Sequence, residues 1–191
     1  MSRNYKVGYF VGSLSSKSIN RELSQALIRL APDDLEFIEI PIGNLPLYSP
    51  DYDSNYPAEA NALKEAIHST DALLFVTPEY NRSIPGALKN AIDWASRPWG
   101  QNAFDHIPAA VVGASIGQIG TAVAQQSLRA VLSFCNARQM TSPEAYIRFS
   151  PEVFPGEGAV TDQSTEDFLK GFMTEFRDHV VRVLTVLPRQ P

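Results

Sequence analysis

Cysteine is all but missing: the single Cys135 in 191 residues excludes an internal disulfide and fits a reducing compartment. It shares a helical face with Leu128, Val131 and Leu132, the pattern of a packed thiol rather than a reactive one. Histidine is scarce too. His68, His106 and His179 are widely separated and none has a second ligand at metal-site spacing, so no metal centre is expected. No apolar run approaches the length of a bilayer span. Met1-Ser-Arg-Asn4 passes directly into a strand without an apolar targeting region, and the expectation is a cytoplasmic protein that keeps off the membrane. Basic residues are the minority, 16 Lys and Arg against 21 Asp and Glu for a net charge of −5. With no basic stripe to neutralise a phosphate backbone, nucleic acid is excluded as a partner. Internal repeats, low-complexity tracts and charge runs are also missing, which leaves residues 1–191 as one domain, 44% hydrophobic, with room for a sizeable core.

What is present is an alternation of short apolar runs with helical patterns. Strands are predicted near residues 6–11, 35–40, 72–76 and 108–114, with a weaker fifth around 139–147, each alternating with a helix. That order specifies an α/β fold, a parallel sheet with helices on both faces. The last helix, about Ser164 to Leu187, carries Phe168, Phe172, Phe176, Val180, Val183 or Leu184, and Leu187 in one core-facing stripe. The proline-rich stretch from Pro41 to Pro57 reads as a long loop, and loops of that length usually serve a site.

Three strand-to-helix junctions carry the chemistry. The first runs from Val7-Gly-Tyr-Phe-Val11 into Gly12-Ser-Leu-Ser-Ser-Lys-Ser-Ile-Asn20, where four of nine residues are serine. Such a loop either curls round an oxyanion at the following helix N-terminus or is a polar turn that Ser18 ends as a cap. The second joins the buried run Ala72-Leu-Leu-Phe-Val76 to the helix after Pro85-Gly86 through Thr77-Pro-Glu-Tyr-Asn-Arg-Ser-Ile84, a place where open α/β sheets bind ligands. The third follows Pro108-Ala-Ala-Val-Val112 with Gly113, Gly117 and Gly120 in eight residues. Those glycines either admit a close approach to the backbone or form an ordinary turn.

Together these residues resemble the NADPH-dependent FMN reductases, the group that includes bacterial chromate, quinone and azo-dye reductases. The resemblance covers nearly the whole chain. It rests on Gly12-Ser-Leu-x-x-x-Ser18-x-Asn20, Leu45-Pro-Leu-Tyr48, Thr77-Pro-Glu-Tyr-Asn81 with Ser83, Pro85-Gly86 and Leu88-Lys-Asn-Ala-Ile-Asp-Trp94, and Ser115-x-Gly117-x-x-Gly120. It implies a flavodoxin-like three-layer α/β/α fold, a five-stranded parallel sheet in the order 2-1-3-4-5, whose switch point brings the three loops to one ligand. The cofactor implied is FMN, with NADPH or NADH as donor and a small-molecule electron acceptor: a quinone, flavin, azo compound or metal oxyanion.

Residue by residue, the resemblance implies that Gly12, Ser13, Leu14, Lys17, Ser18, Ile19 and Asn20 hold the flavin phosphate. Pro78, Glu79, Tyr80, Asn81 and Ser83 would line the isoalloxazine edge near N5. Ser115, Gly117 and Gly120 would meet its pyrimidine end, where backbone donors and a helix N-terminus suit the negative charge that develops on reduction. The chemistry is the cofactor's, so no catalytic residue is named; Glu79 caps a turn or pairs with Arg82 or Arg97 as readily as it moves a proton. Arg82 is a candidate for the 2′-phosphate of NADPH. A homodimer is implied, with a homotetramer as the alternative. Val123 and Gln126 stand where the chromate reductase branch often has the arginine and tyrosine linked to tetramers. Tyr48, Tyr52, Trp94 and Trp99 are either interface or packing surface.

Two rivals come from other classes. Gly113-Ala-Ser115-Ile-Gly117 formally matches the G-x-S-x-G of serine hydrolases, with His179 as the later histidine, although His179 falls within the amphipathic last helix. A flavodoxin-like electron carrier would bind FMN without oxidising a nicotinamide. Such carriers are commonly more acidic around the flavin, whereas Lys17, Arg21, Arg82 and Lys89 cluster near this site.

Overall fold

The computed structural model describes residues 4–188; residues 1–3, which bear on the targeting expectation, and 189–191 lie outside the described residues. Its centre is β3, Ala72–Val76, five apolar residues buried on both faces. Continuous apolar runs are what a parallel strand between two helical layers requires. Against β3 lie β1, Tyr5–Val11, and β4, Pro108–Ser115, both parallel to it. β2, Leu35–Glu39, pairs with β1 at the edge, where only Leu35 is buried.

The strand order is β2-β1-β3-β4-β5, the flavodoxin-like arrangement in which the first and third strands flank the switch point. The fifth position departs from expectation. Instead of one strand over 139–147, β5, Arg138–Gln139, pairs with the start of β4, and β6, Ala145–Arg148, pairs with its end. Pro143 lies between them and has no N–H to give to a ladder, so the edge is interrupted there.

Side chains alternate across the sheet. Phe10, Leu73, Phe75, Ala109 and Val111 face α2 (Ala58–His68), α3 (Gly86–Ala95) and α4 (Ala122–Phe134). Val7, Leu74, Val76, Ala110 and Val112 face α1 (Ile19–Leu30) and α5 (Gln163–Val186). Cys135 is buried against the first of these layers, and burial pushes its thiol pKa up. The inward stripe of α5 is Leu169, Phe172, Met173, Phe176, Val180 and Leu184. Phe168 is 40% exposed and Leu187 37% exposed, contrary to the sequence reading. Leu169 and Phe168 lie three and four residues before Phe172, and the packed side takes Leu169; Leu187 is the C-cap, beyond the last helical turn. No helix among the described residues is long and apolar enough to cross a membrane.

The segment from Pro41 to Pro57 is tied down. Trp94 is fully buried; its Nε1–H donates to the carbonyl of Pro46 at 2.7 Å, and Asn90 Nδ2 donates to the same oxygen at 2.9 Å. Asn90 Oδ1 accepts from the Tyr48 N–H at 2.9 Å. Tyr48 and Tyr56 meet the Trp94 ring edge-on, each 5.1 Å between centroids. Tyr48 and Trp94 are therefore packing residues, while Trp99 is 79% exposed.

Candidate functional site

At the carboxyl ends of β1, β3 and β4 the three loops are stitched to one another in pairs. Between the first and second, the Ser13 and Tyr80 hydroxyls approach to 3.4 Å. A Cβ on Gly12 would sit 3.0 Å from Thr77 Oγ1 and 3.1 Å from Pro78 Cδ, so the two loops pack tightly at this glycine. The second and third meet at Gly113, where an added Cβ would fall 2.1 Å from the Thr77 carbonyl and 2.2 Å from Thr121 Oγ1. Asn20 joins the first to the third: its Nδ2 donates to the Ala114 carbonyl and its Oδ1 accepts from the Ala114 N–H, both at 2.9 Å.

In the first loop Ser18 is the N-cap of α1, its side chain accepting from the Arg21 N–H at 3.3 Å. Ser13 Oγ accepts from the Ser15 N–H and Ser15 Oγ from the Lys17 N–H, so the loop curls on itself. The backbone N–H groups of Ser18, Ile19 and Asn20 have no acceptor among the described residues and issue from the positive end of the helix. The capping reading and the anion reading of this loop are thus compatible, since the cap occupies one donor and leaves others pointing outward. Leu14, Lys17 and the hydroxyls of Ser15 and Ser16 are exposed, whereas Asn20 is buried with its amide committed to Ala114. A cleft of about 240 Å³ separates residues 13–16 from Ile40 to Gly43, at the start of the proline-rich segment.

The second loop is a two-residue hairpin. Tyr80 and Ser83 exchange both backbone hydrogen bonds, at 3.1 and 3.0 Å, and Asn81 and Arg82 have φ of +52° and +61°. Positive φ at both central positions is the mark of a type I′ turn, which asparagine tolerates and arginine rarely adopts. Pro78 is buried; Tyr80 and Ser83 are exposed. The Glu79 carboxylate bridges the hairpin and α4. Its Oε2 accepts from the N–H groups of Val123 and Ala124, both at 3.1 Å, and its Oε1 accepts from Arg82 Nη1 at 3.1 Å. The carboxylate so capping α4, whose own N-cap Thr121 makes no side-chain cap bond, was not assignable from sequence because its partners are backbone groups 44 and 45 residues away.

In the third loop Ser115 Oγ donates to the Gly120 carbonyl at 2.7 Å and accepts from the Gly117 N–H at 3.1 Å. Gly120 has φ +59°, and a Cβ there would lie 2.9 Å from the backbone of Tyr146. What approaches Gly113 and Gly120 closely is the protein itself; Gly117 alone of the three opens outward. At the α4 N-terminus the N–H groups of Val123 and Ala124 are already taken by Glu79.

The serine-hydrolase reading fails on geometry. His179 Nε2 contacts the Arg138 carbonyl at 2.7 Å, and Arg138 pairs with Pro108 at the opposite end of β4 from Ser115. The eight residues of β4 separate these ends by roughly 23 Å at about 3.3 Å per residue. The basic cluster is also weaker than its residue types imply. Arg21 makes a two-pronged pair with Glu39, both contacts 2.8 Å, and Lys89 pairs with Asp93 at 2.7 Å. The Arg21 guanidinium holds the Glu39 carboxyl below its usual range; burial, then Glu39, pushes the neighbouring Tyr9 phenol up.

The donor set suits FMN: outward N–H groups at a helix start for a phosphate, hydroxyls beside them, and exposed apolar or aromatic side chains on the three loops, Leu14, Tyr80, Ile116 and Ile119, for a flat ring. Residues 5–152 match the family described as NADPH-dependent FMN reductase. A 2-hydroxy-1,4-benzoquinone reductase of a Burkholderia species is 47% identical over 171 residues, covering 90% of this chain and 93% of its own. A quinone reductase of Pseudomonas putida is 45% identical over 181 residues, 94% of this chain and 97% of its own. The solved structure of FerB, a flavoenzyme NAD(P)H:(acceptor) oxidoreductase from Paracoccus denitrificans, is similar with a TM-score of 0.90 at 45% identity, over 93% of this chain and 98% of that one. The chain belongs to the NADPH-dependent FMN reductase family, oxidoreductases that work with FMN and a reduced nicotinamide.

Proposed function

We propose that FMN lies across the three loops, phosphate on the α1 N-terminus and ring along Pro78 to Asn81 and Ser115 to Gly120, and that the protein reduces quinones with electrons from NADPH or NADH. The observation that supports this reading is the pairwise stitching of the loops, which brings the free N–H groups at the α1 start beside the exposed side chains of the other two loops. Bound FMN supplies the redox chemistry, accepting hydride from the nicotinamide and passing two electrons to the acceptor. The backbone N–H groups of Ser18, Ile19 and Asn20 hold the phosphate, with Lys17, which has no carboxylate partner among the described residues, adding positive charge. Tyr80, exposed beside Ser13, covers part of the ring. Protons for the acceptor come from solvent, because the carboxylate of Glu79 is held by the N–H groups of Val123 and Ala124.

The two quinone-reductase relatives favour a quinone over flavin, azo or chromate acceptors. Arg82, 65% exposed at its side chain, is free to exchange Glu79 for the 2′-phosphate of NADPH. The same reading takes residues 1–191 as one cytoplasmic domain that works as a homodimer. Trp99 and Phe134, 79% and 76% exposed, flank a cavity of about 370 Å³ rimmed by Arg97 and Asp105; opposite charges on one rim suit the self-complementary contact of a two-fold axis.

The test is a visible spectrum of the protein mixed with FMN and desalted, repeated without oxygen after NADPH is added and again after a benzoquinone. Retained yellow colour that bleaches with NADPH and returns with quinone is the expected result. Colour that NADPH leaves unchanged would make the protein an electron carrier instead.

A further inference from the structure

We infer that Glu79 is a positioning residue that sets the width of the flavin slot, by locking the Tyr80–Ser83 hairpin to the first turn of α4. The inference rests on the reading that the ring lies between these two elements. Three observations carry it. First, Glu79 Oε2 receives two N–H groups, from Val123 and Ala124, at 3.1 Å each. Those donors need a cap from elsewhere because Thr121 makes none with its side chain. Second, Oε1 also receives Arg82 from across the type I′ turn at 3.1 Å, an exposed contact that adds little, so the hold of Glu79 on α4 is what fixes the base of the hairpin. Third, the Glu79 side chain is only 9% exposed, so water does not replace these bonds cheaply.

The consequence concerns the cofactor directly. Loop 2 and loop 3 come from different strands, and beyond Gly113 this carboxylate is the polar link between them. Holding them at a fixed separation preorganises the slot, and preorganisation appears as affinity for the ligand that fills it. A carboxylate at this point also keeps the α4 N-terminus from serving as a second anion site, leaving the α1 cradle to direct the phosphate.

The test compares the FMN dissociation constant, from quenching of flavin fluorescence, with the melting temperature of the FMN-free protein. Glu79→Ala is expected to weaken FMN at least tenfold, and Glu79→Gln, which keeps an acceptor for Val123 and Ala124, to stay within threefold of the parent. Asp162 provides the control for simple helix capping. It is the N-cap of α5, accepting from Thr165 N–H at 2.8 Å, so Asp162→Ala should lower the melting temperature while leaving FMN affinity within twofold. Should Glu79→Ala fail to fold, Glu79→Asp shortens the strut by one methylene and is expected to weaken FMN three- to tenfold. Unchanged affinity in the alanine or aspartate variant overturns the inference, as does an Asp162→Ala variant that loses FMN as severely. Ser18→Asp, which sets a carboxylate against the phosphate, separates the two levels of the reading: if it too leaves FMN binding intact, the placement of FMN is what fails.

Discussion

The side chain of Asn20 continues the sheet where β3 leaves it: Asn20 gives and takes a hydrogen bond at the two backbone groups of Ala114, both at 2.9 Å. Pairing between β3 and β4 ends at Val76 with Val112, with one further bond from the Thr77 N–H to the Val112 carbonyl. Ala114 would otherwise present a buried donor and acceptor with no strand on that side. Asn20→Ala should therefore destabilise the protein by about 2–4 kcal/mol, the cost of leaving two buried backbone groups unpaired. Asn20→Asp should be no better, since it loses the donor and sets a carboxylate against a carbonyl. Urea unfolding checks both, and a loss below about 0.5 kcal/mol would show that water takes over the amide's role.

Ser18 offers a test in which stability and binding part company. Aspartate is as good an N-cap as serine and adds a favourable charge at the helix start. Ser18→Asp should leave the melting temperature of the FMN-free protein equal or higher, by up to about 1 kcal/mol in stability, and still weaken FMN more than tenfold. A fall in both together would make Ser18 a fold residue with no phosphate nearby.

Arg82 is exposed, and its pair with Glu79 contributes little to stability. Arg82→Ala is expected to raise the Michaelis constant for NADPH at least fivefold and that for NADH less than twofold. Equal changes for the two donors would remove Arg82 from the 2′-phosphate.

The tie between Asn90 and residues 46 and 48 predicts a local effect. Asn90→Ala frees the Tyr48 N–H and one of two donors to Pro46, while the buried Trp94 still holds the other. Limited proteolysis within 41–57 should quicken severalfold with less than about 2 kcal/mol lost globally. Unchanged cleavage would mean that Trp94 alone secures the loop.

Acid stability should carry the signature of His179. Burial, reinforced by Arg182, lowers its pKa from the ordinary 6.5, against the pull of the Arg138 carbonyl and Glu175. The unfolded chain then binds a proton that the folded one refuses, so stability is full above about pH 6.5 and declines as the pH falls below it. His179→Gln should flatten the slope of unfolding free energy between pH 7 and pH 5. A slope that survives the substitution would belong to other groups; Glu39, whose pKa is lowered, acts only below its unfolded value of 4.5.

How much of this was legible in the sequence depends on whether the physics was local. β1, β3 and β4 read clearly because a strand covered on both faces must be apolar throughout, and Ser18 because a cap acts within its own helix turn. The break between β5 and β6 was blurred by a single weak apolar stretch in which Pro143 was the sole sign of interruption. Phe168 was misplaced because aromatic size outweighed a one-residue shift of phase that only packing decides. The bonds of Asn20 to Ala114 and of Glu79 to α4 were invisible, since a side chain that satisfies distant backbone groups leaves no mark on the partner's identity.

Gly113, near the end of β4, and Gly117, in the loop that follows, stand four residues apart and have opposite evolutionary prospects. At Gly113 the Thr77 carbonyl lies 2.1 Å from where any Cβ would be, while at Gly117 the nearest neighbour is Ser115 Oγ at 3.5 Å. A saturation library at the first position would return only glycine, whatever the selection. At the second, side chains of graded bulk can be laid beside the open face without disturbing the frame, which makes Gly117 the natural entry point for retuning which acceptors the enzyme admits.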